Sequence, residues 1–291
     1  MPNAKDIRWS RDHLTFLFVG SPGSGKTTLF HTLPGRGFIY IFDPNALASL
    51  EGLDVDYEMF SPDMLDINVH PLAGKTKDGK TISPDRIVKA APPKAYVEWE
   101  ADFEARLRDD FFSQYDWIGL DSFTTFSDAV MDRVTFLNGR FGKQPEQDDY
   151  GAQMMTLQNV GRTIASRTKM WVATAHEEIK QDEKTKIIRA DPWLTGKLKI
   201  RLPLLFSNIY RCVSDRGQYF IQTTPDNMHK YMRSSIKGLP DEIEVTIPVD
   251  EKARQLVNPT SYGVGKILRD AGYLGNKVVS MPVKSSPAKE I

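Results

Sequence analysis

Cysteine is nearly absent, long apolar runs are missing, and the charge balance has no excess of either sign. Cys212 is the single cysteine among 291 residues. That excludes an intrachain disulfide framework and a cysteine zinc cluster, and Cys212 is expected in a strand as a small apolar residue. No stretch of about 18 apolar residues occurs, so no membrane-spanning helix is expected. The opening MPNAKDIRWSRDH lacks the apolar core of a signal peptide, which makes the cytoplasm the expected location. Lys plus Arg and Asp plus Glu are both 38, giving zero net charge. Global charge therefore does not advertise a nucleic-acid binder, although a local basic strip could still serve. No internal repeat is visible. A hydrophobic content of 40% supports a sizeable core, enough for one large α/β domain or one domain with a small appendage.

What is present is dominated by FLFVGSPGSGKTT, residues 16–28. It carries G-x-x-x-x-G-K-[ST], with Gly20, Gly25, Lys26 and Thr27 in the fixed positions and Ser21, Pro22, Gly23, Ser24 and Thr28 completing the loop. The glycines permit backbone conformations that a Cβ would forbid. Successive N–H groups can then cradle phosphate oxygens, aided by the positive end of a following helix. Lys26 reaches the β- and γ-phosphates of a nucleoside triphosphate, and the Thr27 hydroxyl binds Mg²⁺. The flanks fit: LTFLFV reads as a buried strand, and TTLFHTL is apolar and helix-like.

Strand and helix patterns alternate along the rest of the chain. FIYIFD (38–43) is a strand ending in a carboxylate, and ALASLEG is a short helix closed by Gly52. Residues 54–70 hold possible short strands, and GKTKDGKT (74–81) a hairpin tip. A helix is expected over 95–112, with Trp99, Phe103 and Leu107 on one face, then the strand DWIGLDS and a helix over 123–137. A polar loop of about a dozen residues precedes a helix over 151–167 and the strand KMWVATAH (169–176). A charged stretch, 177–201, leads to a hairpin around Arg216–Gly217 and a last helix in SYGVGKILRDAGYL. The expected organisation is an arm (1–13), a main domain (14–250) with an insertion at about 70–95, a small C-terminal helix (251–275) and a flexible tail (276–291). The alternation predicts an α/β fold: a mainly parallel twisted sheet, helices on both faces, and a C-terminal β-hairpin region. Nucleotide then binds at the carboxyl ends of the strands.

Two further residues sit at such ends. Asp121 closes the apolar strand of YDWIGLDS, the Walker B arrangement in which a carboxylate holds Mg²⁺. His176 ends MWVATA, where a polar side chain would lie beside the γ-phosphate and sense it; a satisfied structural histidine is the alternative.

These motifs resemble the RecA-like P-loop ATPases, and in particular the phage AAA/RecA-like ATP-binding proteins of single-strand-annealing and recombination systems. The resemblance rests on GSPGSGKTT, the strand ending at Asp43, GLDS, TAH, DPWLTGKLKIRLP (191–203) and KYMRSSIKGLP, and spans roughly 14–245. It implies a RecA-like fold, Mg²⁺-dependent ATP hydrolysis, single-stranded DNA as partner, homo-oligomerisation in a filament or ring, and an annealing or single-strand-binding protein nearby. A viral origin would place the chain in the host cytoplasm. ATP over GTP rests on the resemblance, since no guanine-specific N-K-x-D motif occurs. The family's water-activating glutamate is expected near the second strand. Asn45 stands there, and an amide cannot take the proton, so Asp43 or Glu51 would have to substitute or hydrolysis would be slow.

Two stretches match the family's DNA loops. Lys184, Lys186, Arg189, Lys197, Lys199 and Arg201 crowd around Trp193 with one acid, Asp191, the makeup of a single-strand site. Loop 138–150 offers Arg140, Phe141 and Lys143 among three acids. Lys230 and Arg233 match the position from which the family sends a cation to a neighbour's γ-phosphate. A P-loop small-molecule kinase, with the basic stretch as a lid, and a nucleotide-dependent assembly switch are the competing readings.

Overall fold

The computed structural model describes residues 13–61, 92–140, 143–183, 186–195, 198–201 and 204–274. The expected arm up to residue 12, most of the expected insertion with its hairpin tip, and the tail lie outside the described residues, as do Phe141, Lys184 and Lys197.

Elements follow in chain order. β1 (Leu14–Gly20) leads through the glycine loop into a short 3-10 helix, Thr27–Thr32. Next come β2 (Gly37–Ile41), α1 (Ala46–Leu50), β3 (Asp56–Met59), α2 (Lys94–Arg108), β4 (Trp117–Asp121), α3 (Phe123–Leu137) and α4 (Gln147–Arg167). The remainder is β5 (Met170–Gln181), β6 (Ile188–Pro192), α5 (Leu198–Arg201), β7 (Asn208–Asp215), β8 (Gln218–Gln222), β9 (Glu242–Glu244), β10 (Val249–Asp250), β11 (Gln255–Leu256) and α6 (Gly263–Asp270).

The main sheet runs β3-β2-β4-β5-β1-β7-β8-β9. From β3 to β7 every pairing is parallel; β8 and β9 are antiparallel additions. Parallel strands buried on both faces read as continuous apolar runs, and all seven residues of β1 are buried. Side-chain alternation divides that strand between two cores. Leu17 and Val19 join Tyr40, Trp99, Phe103, Phe126, Leu157 and Trp171 under α2, α3 and α4. Phe16 and Phe18 join Leu29, Ile39, Tyr210, Val264 and Ile267 on the opposite face, under the 3-10 helix, α1 and α6. Helices therefore cover both faces, with the C-terminal hairpin β7–β8 at one side, as the RecA-like α/β expectation required. Cys212 is buried in β7, where burial pushes its thiol up to about 12.

Local structure departs from the sequence expectation in three places. The segment after the P-loop is one 3-10 helix of six residues, because Thr32 turns its hydroxyl onto the Leu29 carbonyl (2.7 Å) and Pro34 follows. So short a helix adds little dipole. α4 starts at Gln147, four residues early, since Gly151 in its opening turns masks the helical pattern. β5 does not end at His176: its parallel pairing with β1 stops at Gly20↔His176, and the strand runs on to Gln181 as an antiparallel hairpin with β6.

Candidate nucleotide site

The carboxyl ends of β1, β2 and β4 meet the middle of β5, at His176, around a cleft of about 450 Å³. Gly23, Gly25, Lys26, Thr27, Thr28, Asp43, Asn45, Asp121 and His176 all border it, together with Tyr219.

The loop's glycines have separate reasons. Gly25 lies at φ +82°, and a Cβ there would stand 2.8 Å from the Tyr219 ring. Gly20 has ordinary backbone angles but no space: a Cβ would come within 2.5 Å of the Cys212 carbonyl oxygen. Lys26, only 7% exposed, folds back so that Nζ donates to the carbonyls of Gly20 (2.9 Å) and Ser21 (2.8 Å). Burial pulls its pKa down, and the carboxylates of Asp121, Asp43 and Glu177 work against that. An incoming phosphate would replace two neutral carbonyls with full negative charge, a stronger hydrogen-bond partner.

Asp121 is 2% exposed. Thr27 Oγ1 donates to its Oδ2 at 2.8 Å, and Thr174 Oγ1 donates to its Oδ1. Burial raises the Asp121 pKa; the two hydroxyls and Lys26 lower it in part. A carboxylate beside a hydroxyl is a hard oxygen donor set that suits Mg²⁺, which is typically held by one or two carboxylates plus substrate phosphates. Among the described residues no group of three or more His, Cys, Asp or Glu could hold a metal by itself, so water and substrate phosphates would complete the shell of a cation here. Thr27 and Asp121 are the residues that would hold it.

His176 Nε2 lies 3.8 Å from Asp43 Oδ2, and its backbone N–H donates to Thr124 Oγ1 at 2.9 Å. Burial, with Lys26 nearby, lowers the imidazole pKa, so the neutral ring prevails at pH 7. Asp43 Oδ1 accepts from the Asn45 N–H at 2.9 Å, which fixes the carboxylate at the cleft edge. Glu51 is exposed and does not border the cleft, so of the two carboxylates considered as substitutes only Asp43 is in reach.

Sequence reasoning missed three participants. Thr174 holds Asp121 and shares a face of β5 with His176; a polar residue inside an otherwise apolar strand was the available signal. Tyr219 arrives from β8, far along the chain, with no local signature. Glu177, directly after His176, has a buried side chain that accepts from Arg211 Nε at 2.9 Å and Tyr231 Oη at 3.3 Å, tying β5 to β7.

The DNA candidates separate in space. Arg140 is committed to the buried Asp149 through Nε (2.9 Å) and Nη2 (2.6 Å), at the start of α4. Residues 147–150 of the expected polar loop 138–150 thus belong to α4. Lys199 sits 3.7 Å from Glu178 and 3.6 Å from Asp191, because the hairpin register sets those two carboxylates opposite each other. Lys186, Arg189 and Trp193 are exposed, Trp193 by 59%. Lys230 and Arg233 are exposed and neither borders the cleft.

Fold and site together define a class: a P-loop NTPase of the α/β kind, with β5 standing between the P-loop strand and the Asp121 strand. A family model described as an AAA domain matches residues 12–230. The chain belongs to that AAA domain family. No curated protein matches it. Among solved structures, the flagellar accessory protein FlaH from Methanocaldococcus jannaschii aligns at 11% identity and a TM-score of 0.37, over 81% of this chain and 86% of that one. Among the described residues no helix is long and apolar enough to cross a membrane.

Proposed function

We propose that the chain binds ATP with Mg²⁺ and hydrolyses it. The carrying observation is the 2.8 Å contact of Thr27 with the buried Asp121, beside Lys26 and below His176. Lys26 and the loop amides neutralise the β- and γ-phosphates. When bound, the cation polarises the γ-phosphoryl group and offsets charge on the leaving oxygen. Asp43 takes the proton of the attacking water as the new P–O bond forms; the bond to the bridging oxygen breaks and ADP leaves with its electron pair. His176 orients that water and registers the γ-phosphate. Lys230 and Arg233 stand off their own cleft, which suits a role at the cleft of a neighbouring copy in a filament or ring.

Single-stranded DNA is the partner this reading favours, with recombination or annealing of the phage type as the process and an annealing or single-strand-binding protein as companion. Lys186, Arg189 and Trp193 on the β5–β6 hairpin supply cations for phosphates and a ring for stacking. That hairpin starts at His176, so a change at the γ-phosphate reaches it through a single strand. ATP hydrolysis titrated with oligonucleotide, alongside mass measurement with ATP and Mg²⁺, tests this. Stimulated turnover and assembly are expected; no stimulation and no DNA binding at low salt would sink the DNA arm. Asn45 at the cleft edge favours one second reading, a nucleotide-dependent assembly switch with weak turnover. It predicts ATP-driven assembly with hydrolysis unchanged by Asp43→Asn.

A further inference from the structure

A second cavity, of about 350 Å³, opens beside the phosphate cleft and shares Gly25, Thr28 and Tyr219 with it. That volume falls at the lower end of small-molecule sites, about 300–1,000 Å³. Its walls come from three separate parts of the chain. Thr28 and Leu29 belong to the P-loop helix, Tyr219 to β8, and Val249 and Leu256 to the small β10–β11 hairpin. In that hairpin Val249 and Leu256 are direct register partners. Val249 is 57% exposed, and Leu256 is half-buried. A two-residue ladder presenting paired apolar side chains to an open cavity lacks a packing reason within the described residues. Tyr219 is 36% exposed and its ring stands over Gly25 at the mouth between the two cavities.

We infer that this cavity is the nucleoside subsite, and that it holds a purine base by its faces, between Tyr219 and the Val249–Leu256 pair, with little reading of the base edge. The inference rests on the triphosphate reading of the P-loop and adds to it the location of the base and its selectivity. Among the described lining residues the only polar side-chain groups are the hydroxyls of Thr28, Tyr219 and Thr246. Thr246 Oγ1 already accepts from the Tyr219 N–H at 2.9 Å. Among those lining residues no carboxylate, side-chain amide or cation is present to reward adenine or guanine separately. An aromatic and apolar slot favours the larger stacking surface of a purine over a pyrimidine.

Calorimetric titration of the full chain with the Mg²⁺ complexes of ATP, GTP, UTP and tripolyphosphate tests it. ATP and GTP are expected within about fivefold of each other, and both at least about tenfold tighter than UTP or tripolyphosphate. Tyr219→Ala and Leu256→Gln should each weaken ATP and GTP several-fold. Tyr219→Phe should keep the wild-type affinity, and Leu256→Gln should leave tripolyphosphate untouched; thermal melting checks that the variants fold. A hundredfold preference for one purine overturns the face-only reading. ATP no tighter than tripolyphosphate, or ATP binding unchanged in both Tyr219→Ala and Leu256→Gln, overturns the subsite while leaving the P-loop reading intact. Wild-type chain that binds neither tripolyphosphate nor ATP overturns the reading beneath it.

Discussion

Asp121→Asn should separate stability from nucleotide binding. The carboxylate is buried, and the fold raises its pKa chiefly through desolvation. Each unit by which a fold raises a carboxyl pKa costs the native state about 1.4 kcal/mol at neutral pH. Substitution removes that cost. Against it, the hydrogen bonds from Thr27 and Thr174 change from charged to neutral, about 1 kcal/mol each. Both partners are hydroxyls, which donate or accept, so the amide leaves no group unpaired. The two effects oppose each other, so the nucleotide-free variant should lose less than the roughly 2 kcal/mol that the two hydrogen bonds alone would cost. The sign with pH follows from the raised pKa. Wild type loses stability as pH rises from the ordinary carboxyl range through the raised value, and Asp121→Asn lacks that loss.

Ligand changes the comparison. At a Mg²⁺–ATP concentration of 100 Kd, wild type gains about 2.7 kcal/mol by linkage. If the variant binds a hundredfold more weakly, its gain is about 0.4 kcal/mol. Urea unfolding with and without Mg²⁺–ATP reads both quantities, and ATP with a chelator is the control in which the two proteins should converge. Loss of more than about 3 kcal/mol without ligand would refute the reasoning, since it would make Asp121 the structural counter-charge of Lys26. Equal stabilisation of both proteins by Mg²⁺–ATP would refute the metal role.

Gly25→Ala meets both the Tyr219 ring and a φ of +82°, so nucleotide binding should be lost with about 1–3 kcal/mol of stability, measured by calorimetry and denaturation. Asp43→Asn should retain ATP affinity while turnover falls by about 10² or more, read in a phosphate-release assay. Asp149 has its pKa held below the ordinary carboxylate value, first by the Arg140 hydrogen bonds. Its stabilisation is thus present above about pH 4 and lost as pH falls through the lower folded value. Melting of Asp149→Asn against wild type should show the widest gap at neutral pH, closing in acid. For the hairpin, Lys186→Ala and Arg189→Ala should each reduce the salt slope of oligonucleotide binding by about 1. Arg140→Ala should leave that slope unchanged, since its guanidinium is held by Asp149.

Legibility tracked how local the physics is. The loop from Gly20 to Thr28 could be read directly, because spacing along one short segment sets its shape. Asp121 and His176 were legible as polar residues that follow apolar stretches of strand. The extension of β5 beyond His176 was not, since Glu177 to Gln181 look like a charged loop until β6 pairs with them. The same pairing brings Glu178 across from Asp191 and so neutralises Lys199, which counting cations in one window could not reveal. Arg140 looked available for the same reason: its partner Asp149 is nine residues on, across a helix start that Gly151 concealed.

The sequence by itself determined that a glycine-rich P-loop follows a buried strand, that a parallel α/β sheet supports it, and that a carboxylate and a histidine each follow an apolar stretch of strand. Those features depend on backbone freedom and side-chain alternation within a few residues. The tertiary structure decided which groups meet: Thr27 with Asp121, Asp43 with His176, and Tyr219 over Gly25. Each contact joins strands distant in sequence, so the order in which β1, β2, β4, β5 and β8 pack fixes the chemistry of the cleft.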